Sequence, residues 1–323
     1  MKPLQTLNTE ARRHGGFHHA TSVGNGVPVW KASPYTGLFR HDTLCSVSLC
    51  LCVSLFFIVC LAVPPGWAGE PPKRIVSLAP SLTELACALG LENNLVGVTT
   101  FCDRPASIKG KPTVGGPANP SLEAVLNLKP DVVLVDEEGI GSKLAQRLQK
   151  LGIKTVTFHG SRLDKLAPAI RQLGTDLGVP QPANQLASRI EQSLKPLKAA
   201  TSVKTMFVIW PDPLVAAGPG SMLDDAMRLS GMSNIAGDAR SGYPRLSLEA
   251  VITRSPQLII VGQGEKLAVP VKRMLTHLNS LDTVKQGRVC AVSDALYRPG
   301  PRIPEGIAEL RHCLELVRKG QRP

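Results

Sequence analysis

The sequence predicts an α/β fold of two similar lobes, and a repeated segment is the main reason. The two copies are SLEAVLNLKPDVVLV at 121–135 and SLEAVITRSPQLIIV at 247–261; they agree at seven of fifteen positions and lie 247 − 121 = 126 residues apart. In each copy a helical stretch meets a proline, which a helix interior does not tolerate. An unbroken apolar run follows, typical of a strand covered on both faces. Two such units predict two lobes, and a cleft between lobes is a preferred ligand site.

An apolar run precedes the predicted lobes. Leu44–Val63 is followed by Pro-Pro-Gly-Trp-Ala, in which Gly66 and Ala68 are the small residues that a signal peptidase requires. We predict a leader extension at 1–43, either disordered or the result of a misassigned start codon, and a signal peptide at 44–68 cleaved near Ala68. The alternative is an uncleaved anchor, since the run could just span a bilayer.

The remaining chain divides into an N-terminal lobe at 69–160, a helical linker at 161–200 and a C-terminal lobe at 201–323. Without the leader the chain has 323 − 68 = 255 residues, enough for two modest lobes. The net charge of +12 falls to 32 − 23 = +9, because the leader holds five basic and two acidic residues. These basic residues are scattered and have no interleaved aromatics, so a nucleic-acid partner is not expected.

Four cysteines remain after the leader: Cys87, Cys102, Cys290 and Cys313. Four cysteines allow three pairings, and an exported protein can form disulfides. Cys290–Cys313 is a candidate pair, because a predicted strand and the helix after it carry these two residues.

The first lobe reads as alternating strands and helices. Ser81–Glu84 has the pattern of a capping box and begins a helix that Gly90 ends. Helices are also expected in the first repeat and at 142–151. The predicted strands are Arg74–Leu78, Leu95–Thr99, Val132–Val135 and Lys154–Phe158. This alternation favours a parallel sheet covered by helices.

A helical region and a second lobe follow. Leu163–Leu177 forms one helix, and after Pro180 a second has an apolar face at Leu186, Ile190, Leu194 and Leu197. The second lobe then repeats the plan of the first. Its predicted elements are strand Thr205–Ile209, helix Met222–Leu229, the second repeat, helix Val271–Asn279, strand Val289–Val292 and a last helix from Pro304 to Lys319.

Five segments in this order resemble the class III periplasmic substrate-binding proteins of ABC importers, and most closely their cobalamin-binding branch, the helical backbone metal receptors. The segments are RIVSLAPSLTELACALG, the CDRP loop, VGGPANPSLEAVLNLKPDVVLV, YPRLSLEAVITRSPQLIIV and RPGPRI. The resemblance covers Pro72–Leu316. It implies two Rossmann-like lobes with mainly parallel sheets joined by a long backbone helix, a ligand held in the cleft, and delivery to the permease subunits of an ABC importer in the inner membrane.

The loops that follow strands supply the candidate ligand-binding residues, because open α/β sheets bind ligands beyond the carboxyl ends of their strands. Aromatic walls with a few polar groups suit the apolar rim and amide arms of a corrin ring. Trp210 precedes Pro-Asp-Pro, a loop pattern, and Tyr243 matches a pocket aromatic of the cobalamin carriers. The candidates are Pro80, Phe101, Cys102, Asp103, Arg104, Pro117, Asp136, Trp210, Tyr243, Asp294, Tyr297 and Arg298.

Glu123 and Glu249 occupy the same position of the two repeats. In the cobalamin-binding relatives a glutamate there on each lobe meets arginines of the permease, so the resemblance assigns both to transporter docking. An acidic residue in a first helical turn is also favoured by the helix dipole alone. Its presence in both lobes favours docking.

The chain departs from the cobalamin pattern at the expected pocket. It has no tryptophan near Pro117 or Asp136, and Arg104 stands where relatives have tyrosine. Arg104, Arg298 and Arg302 could instead clamp a carboxylate-rich iron chelate, so the expected cargo is cobalamin or a related corrinoid, with an iron–siderophore or haem as the alternative.

A bare metal ion is a weaker alternative. The histidines at 159, 277 and 312 are scattered, and Asp136, Glu137 and Glu138 form an acidic turn after a strand that could offer oxygen ligands. A chelatase-like enzyme is the alternative class. The sequence lacks G-x-S-x-G, H-E-x-x-H, P-loop and dinucleotide motifs. We therefore expect a monomeric, periplasmic carrier that is not an enzyme, with no catalytic residue, no metal site and no cofactor of its own.

Overall fold

The computed structural model describes residues 70–137, 141–197, 202–263 and 265–323. The predicted leader extension, the signal peptide and Glu138 lie outside the described residues. Within the described ranges, no helix has both the length and the apolar character needed to cross a bilayer.

The first lobe is built on a four-stranded parallel sheet of order β2-β1-β5-β6. Its central strand β5 alternates between two faces: Val132 and Leu134 point to the core between the lobes, and Val133 and Val135 to the outer core. A short hairpin of β3 and β4 lies beside the sheet. The strands are β1 Ile75–Ser77, β2 Leu95–Gly97, β3 Gly115–Gly116, β4 Asn119–Pro120, β5 Val132–Asp136 and β6 Lys154–Phe158.

Three helices cover this sheet: α1 Pro80–Ala88, α2 Leu122–Asn127 and α3 Gly141–Lys150. The predicted capping box at Ser81–Glu84 is wrong. Pro80 occupies the first helical position, where its missing N–H costs nothing, and Ala79 is the N-cap without a side-chain bond. Glu84 is therefore free to bond elsewhere. By contrast, Ser121 caps α2 by accepting a hydrogen bond from the amide of Ala124.

The second lobe contains a five-stranded mixed sheet of order β11-β10-β7-β8, with β9 pairing with β7. Strand β8 is antiparallel to β7, and the other pairings are parallel. The strands are β7 Val203–Pro211, β8 Leu214–Ala216, β9 Met232–Asn234, β10 Leu258–Gly262 and β11 Val289–Val292. Trp210, predicted to lie in a loop, is in β7, because the hairpin to β8 extends the ladder to Pro211.

Helices pack on both faces of the second sheet, as in the first lobe. Ser247 caps the second repeat helix through the amide of Ala250, the same bond that Ser121 makes in the first. Two helices, α4 Leu163–Asp176 and α5 Pro180–Ser193, precede this lobe in the chain. The helices of the lobe itself are α6 Met222–Leu229, α7 Leu248–Arg254, α8 Glu265–His277, α9 Asp282–Lys285 and α10 Ile303–Arg318.

The connection between the sheets consists of two helices, α4 Leu163–Asp176 and α5 Pro180–Ser193, rather than one continuous helix. Gly178 adopts a left-handed conformation (φ +70°), and Pro180 starts the next helix. This combination ends one helix and redirects the chain into another. The two helices pack closely at Gly174, where an added Cβ would overlap the Cβ of Ala183. The prediction of an α/β fold with two lobes and mainly parallel sheets is confirmed.

One apolar core joins the lobes. It contains the inner faces of both sheets, with Leu134 from β5 and Phe207 from β7, together with side chains of α1, α4, α5, α6 and α10. Two smaller cores lie on the outer faces, under α2 and α3 in the first lobe and under α7 and α8 in the second. The lobes therefore share a layer of helices instead of meeting across a flexible linker.

A disulfide joins Cys290 of β11 to Cys313 of α10, with Cα atoms 6.0 Å apart. This is the candidate pair of the sequence analysis. It attaches the last helix to the second sheet. Cys87 and Cys102 are free thiols.

We expect Gly174→Ala to destabilise the protein by about 1–3 kcal/mol, because the new methyl group overpacks the contact between α4 and α5. Alanine is otherwise the better helix former, so propensity alone predicts the opposite sign. Urea unfolding checks the change. The double variant Gly174→Ala with Ala183→Gly should recover most of the loss; a Gly174→Ala protein as stable as wild type contradicts the close packing.

Candidate ligand-binding cleft

A cavity of about 470 Å³ lies between the lobes. The first lobe contributes Asp136, at the end of β5, and Phe158, at the end of β6. The second contributes Ile209 from β7 and the segment around Tyr297. The cavity thus opens beyond the carboxyl ends of parallel strands of both lobes, the position at which open α/β sheets bind ligands.

Two tyrosines form the aromatic part of the cleft. Tyr243 is more than half exposed at the wall of the cavity. Tyr297 is largely buried; its ring packs edge-on against Phe207 at 5.7 Å, and its hydroxyl donates to the carbonyl oxygen of Val208. Burial raises the pKa of the Tyr297 phenol. Tyr243 is thus the exposed aromatic side chain of this cleft, and Tyr297 is the one held by packing and a hydrogen bond.

Polar groups of the first lobe line the opposite wall. Ser161 Oγ donates to Glu137 Oε1 at 2.6 Å, and Nδ1 of His159 lies 2.8 Å from Glu137 Oε2. These two bonds, the one from Ser161 first, lower the pKa of the Glu137 carboxyl. The carboxylate is therefore held in place by its own neighbours. The serine bonds to the glutamate and not to the histidine, so the three residues lack the relay of a catalytic triad.

A network of charged side chains links the lobes beside the cleft. Glu84 of α1 is only 5% exposed and accepts from two arginines of the second lobe. Arg302 donates to Glu84 from Nε (2.8 Å) and Nη2 (3.1 Å), and Arg298 donates from Nη1 (3.0 Å). Asp294 contacts Arg302 at 2.8 Å and Arg298 at 3.2 Å, and Asp103 contacts Arg298 at 2.6 Å.

The network lowers the pKa of two of its carboxylates, Asp294 and Asp103. Burial alone would raise the pKa of Asp294, but the hydrogen bond from Arg302 and the charges of Arg298, Arg302 and Arg104 outweigh it and hold the pKa below 3.8. For Asp103, burial is again opposed and outweighed, here by the hydrogen bond and the charge of Arg298, so its pKa also lies below the usual 3.8. The hydrogen bond to Glu84 is the main cause of a raised pKa for Arg302.

A second polar bridge crosses the junction on the other side of the cleft. Arg162, just before α4, donates from Nη1 to the carbonyl oxygen of Gly220 (3.3 Å), and its Nη2 lies 3.2 Å from Asp225 Oδ2. Asp225 is nearly buried and also pairs with Arg228 on its own helix. The cleft is therefore braced by charges on both sides.

A larger cavity, of about 710 Å³, lies between α1 and the segment that carries Asp103 and Arg104. It shares no lining residue with the cleft. Arg302 and Pro301 close it from the second lobe, and Cys87 lies in its wall. Burial, followed by nearby Glu92, raises the pKa of the Cys87 thiol to about 11, so this thiol is protonated at neutral pH.

The structure separates the predicted ligand-binding residues into groups. Asp136, Tyr243 and Tyr297 line the cleft. Asp103, Asp294 and Arg298 are members of the charge network, and Arg104 lies at its edge, 3.8 Å from Asp294. Arg298 and Arg302, considered as a clamp for a ligand, are already paired with the protein's own carboxylates. The other candidates are Pro80, Phe101, Cys102, Pro117 and Trp210, and none of them lines either cavity.

These remaining candidates differ in exposure and in local contacts. Phe101 is exposed, and Trp210 is half-exposed with its Nε1 donating to the carbonyl oxygen of Asp212. Cys102 faces inward, with its sulfur 3.1 Å from the hydroxyls of both Thr83 and Thr99. Pro80 starts α1. Pro117 lies in the turn between β3 and β4.

Several residues of the site are not predicted by the sequence analysis. Glu84 was interpreted as a helix cap, and nothing in its neighbourhood pointed to arginines more than 210 positions away. Ser161 and Arg162 follow strand β6, so the rule that ligands bind after parallel strands would have included them. Phe158 and Ile209 are the last inward-facing residues of their strands, a signal that alternation supplies.

Glu123 and Glu249 are exposed in the first turns of α2 and α7. Neither carboxylate forms an ion pair with any other residue of the described ranges. The two repeats thus present matching acidic side chains, one on each lobe.

No group of three or more histidine, cysteine or acidic side chains is arranged to hold a metal ion in the part of the chain that the structure describes. The acidic turn considered for a hard cation is described only at Asp136 and Glu137. Glu137 is engaged by Ser161 and His159.

Comparison with known proteins gives a consistent result. The model of the family described as "Periplasmic binding protein" matches residues 75–295. An uncharacterized ABC transporter substrate-binding lipoprotein of Bacillus subtilis, YvrC, is 32% identical over 257 residues, which cover 76% of this chain and 81% of that protein. A vitamin B12-binding protein of Pectobacterium carotovorum is 30% identical over 197 residues, covering 59% of this chain and 71% of that protein.

Two solved structures resemble the whole described unit. The periplasmic vitamin B12 binding protein BtuF of Vibrio cholerae superposes with a TM-score of 0.68 at 25% identity, covering 78% of this chain and 100% of that one. The periplasmic heme-binding protein RhuT of Roseiflexus superposes with a TM-score of 0.68 at 26% identity, covering 77% and 99%. The two superpose equally well, although one is a vitamin B12 binding protein and the other a heme-binding protein.

The charge network makes a prediction about pH. The pKa of Asp294 is lower in the folded protein than its ordinary 3.8, so its contribution to stability is present above pH 3.8 and is lost as the pH falls through the folded value. We expect Asp294→Asn to lower the free energy of unfolding at neutral pH by about 1–2 kcal/mol. Thermal unfolding should show this gap closing below pH 3.8. Asp282→Asn, at an exposed pair in the second lobe, is the control, and an Asp294→Asn gap that is constant down to acid pH rejects the mechanism.

Proposed function

The chain belongs to the periplasmic binding protein family, and we propose that it carries cobalamin or a related corrinoid to an ABC importer. The observation that carries this proposal is the cleft between two lobes, beyond the carboxyl ends of their strands, with a matching exposed glutamate on each lobe. The cleft offers a site for a small molecule, and the glutamates offer a symmetric contact for a two-sided permease.

Support for a corrinoid comes from the character of the opening. Tyr243 lies at the cleft wall, and Phe101 and Trp210 are exposed aromatics on segments that follow β2 and end β7. Aromatic side chains provide large apolar contact areas in binding sites, and a flat apolar macrocycle with polar arms suits such a surface. The vitamin B12-binding relatives by sequence and by structure point the same way.

Haem or an iron–siderophore is the second candidate, and two observations favour it. The haem-binding structure superposes as well as the B12-binding one. The predicted cobalamin pocket also lacks tryptophan at Pro117 and Asp136, and an arginine, Arg104, lies at the edge of the site. Arginine suits carboxylate groups, which haem and many iron chelates carry.

We propose that the protein acts as a monomer outside the cytoplasm, exported by a signal peptide cleaved near Ala68. Its partners in this proposal are the small-molecule cargo and the permease subunits of the importer in the inner membrane. Binding and release of an unchanged cargo require no catalytic residue, so the proposal excludes chelatase turnover and needs no cofactor beyond the cargo.

The visible absorption spectrum of the protein purified with its native ligand tests the cargo directly. Corrin, haem and ferric-chelate bands differ, so one spectrum distinguishes the candidates. A corrin spectrum supports the first candidate, and a haem or ferric-chelate spectrum replaces it with the second. Conversion of a metal-free tetrapyrrole to its cobalt or iron form would instead indicate a chelatase.

Docking through the repeat helices can be tested separately from binding. Glu123→Ala with Glu249→Ala should leave cargo affinity unchanged and abolish transport, because each carboxylate can form a bidentate pair with an arginine of the permease. Uptake by reconstituted vesicles and titration of the purified protein measure the two properties. Glu92→Ala with Glu305→Ala removes two other exposed or half-exposed carboxylates as the matched control. Reduced affinity in the first double variant, or unimpaired transport, refutes the docking role.

The aromatic wall gives a further expectation. Tyr243→Ala should weaken cargo binding by about tenfold or more, because a large aromatic contact is lost from the cleft wall. Trp210→Ala should weaken it as well if the cargo covers the opening. Leu151→Ala, at an exposed apolar residue after α3, is the control for a loss of surface apolar area. Isothermal titration calorimetry measures the dissociation constants, because it does not depend on the tryptophan that Trp210→Ala removes, and an unchanged value removes the substituted residue from the site.

A further inference from the structure

The guanidinium of Arg298 faces three carboxylates at once. Nη1 lies 2.6 Å from Asp103 Oδ1 and 3.0 Å from Glu84 Oε1, and Nη2 lies 3.2 Å from Asp294 Oδ2. Arg298 is 20% exposed. Of the three carboxylates around this one cation, the one that is held least firmly is the one that an incoming anion can replace.

The three carboxylates are held unequally. Glu84 is 5% exposed and Asp294 33%, and both also accept hydrogen bonds from Arg302. Asp103 is 59% exposed, and Arg298 is its one ion-pair partner in the described part of the chain. Breaking the Asp103 contact therefore leaves the rest of the network closed, whereas removing Glu84 or Asp294 leaves two arginines underpaired.

Charge balance shows what would take the place of Asp103. The network contains three arginines, at 104, 298 and 302, and three carboxylates, at 84, 103 and 294. When Asp103 swings away, the group carries one net positive charge next to a partly buried guanidinium. An incoming anion restores the balance, and a neutral group does not.

The position of the contact makes it reachable. Asp103 lines the 710 Å³ cavity, and Tyr297 and Pro299, on either side of Arg298, line the 470 Å³ cleft. Arg298 itself lines neither cavity, but its side chain is 20% exposed, its partner Asp103 lines one cavity and its two neighbours in sequence line the other. The neighbouring Cys102 is anchored by Thr83 and Thr99, so the Asp103 side chain can rotate outward while the segment keeps its place.

We propose that Asp103 is a specificity-determining residue, which occupies on Arg298 the position that an anionic group of the cargo, a carboxylate or a phosphate, takes over on binding. This inference rests on the proposed carrier function and deepens it by naming the chemistry that the cargo must bear. Asp103 is ionised at neutral pH, because the hydrogen bond and charge of Arg298 outweigh burial and keep its pKa below 3.8. The Asp103 carboxylate therefore competes with an anionic group of the cargo for Arg298. It does not compete with a cargo that lacks such a group.

Two pairs of compounds separate the sources of the anion. Iron protoporphyrin IX has two propionates, and its dimethyl ester has none; cyanocobalamin has a phosphodiester, and dicyanocobinamide lacks it. The anionic member of a pair is here the compound that bears the carboxylates or the phosphodiester, whatever its net charge. Asp103→Asn should tighten binding of that member by about tenfold, since one competing charge-assisted hydrogen bond is lost, and should leave the member without the anionic group unchanged. Asp103→Glu, which keeps the competing charge, should resemble wild type. Asp282→Asn, at an exposed pair far along the chain, is the matched control.

The outcomes discriminate between the proposals. A gain restricted to the porphyrin pair identifies a carboxylate, and a gain restricted to the corrinoid pair identifies a phosphate. Equal changes for both members of each pair, or weaker binding of the anionic member, overturn the role of Asp103 while leaving the carrier function intact. If wild type binds none of the four compounds, the corrinoid and haem cargoes of the proposed function are refuted, and this inference is refuted with them. Arg298→Gln should abolish the preference for the anionic member in either variant background.

Discussion

The structure depends on one apolar core that both lobes share. Helices α1, α4, α5, α6 and α10 fill the space between the inner faces of the two sheets, and nearly all of their inward side chains are buried in a single cluster. A core at native density does not deform continuously, so the lobes cannot rotate far without exposing it. The cleft is therefore largely preformed, and discrimination among cargoes depends on its side chains more than on closure of the lobes.

Ion pairs connect the two lobes in addition to the shared apolar core. Glu84 and its two arginines join the lobes on one side of the cleft, and Arg162 with Asp225 joins them on the other. A buried ion pair adds little to stability compared with apolar residues of the same size, but it is costly to break from one side. Such pairs fix the relative position of the lobes in a way that apolar packing alone does not. They also hold the guanidinium of Arg298, whose neighbours Tyr297 and Pro299 line the cleft, in contact with three carboxylates.

How far the sequence predicts this protein depends on the range of each interaction. Local patterns place the repeat helices, and they place the buried strands within a residue or two, because those elements are specified by their own periodicity and end signals. Glu84 was assigned to a local cap because the long-range partner has no local signature. Trp210 was placed in a loop because the pairing of β7 with β8, and not the Pro-Asp-Pro pattern, decides where the strand ends. The division of the candidates between a cleft and a charge network follows from tertiary contacts alone.

The size of the cleft bears on how a cargo lies in it. A cavity of about 470 Å³ is within the range that encloses most of a drug-sized molecule. The metallo-macrocycle of the proposed function is broader, so part of it would remain outside the cavity, beside Tyr243, which is exposed at the cavity wall. A flat ring held at its edge can present its polar arms to both lobes at once. In this proposal Glu137 offers a negative charge on one side of the ring, and Arg298, once Asp103 has moved away, offers a positive charge on the other. The two sides differ in which charge they offer, and a cargo with an unsymmetrical set of side groups can therefore bind in one orientation.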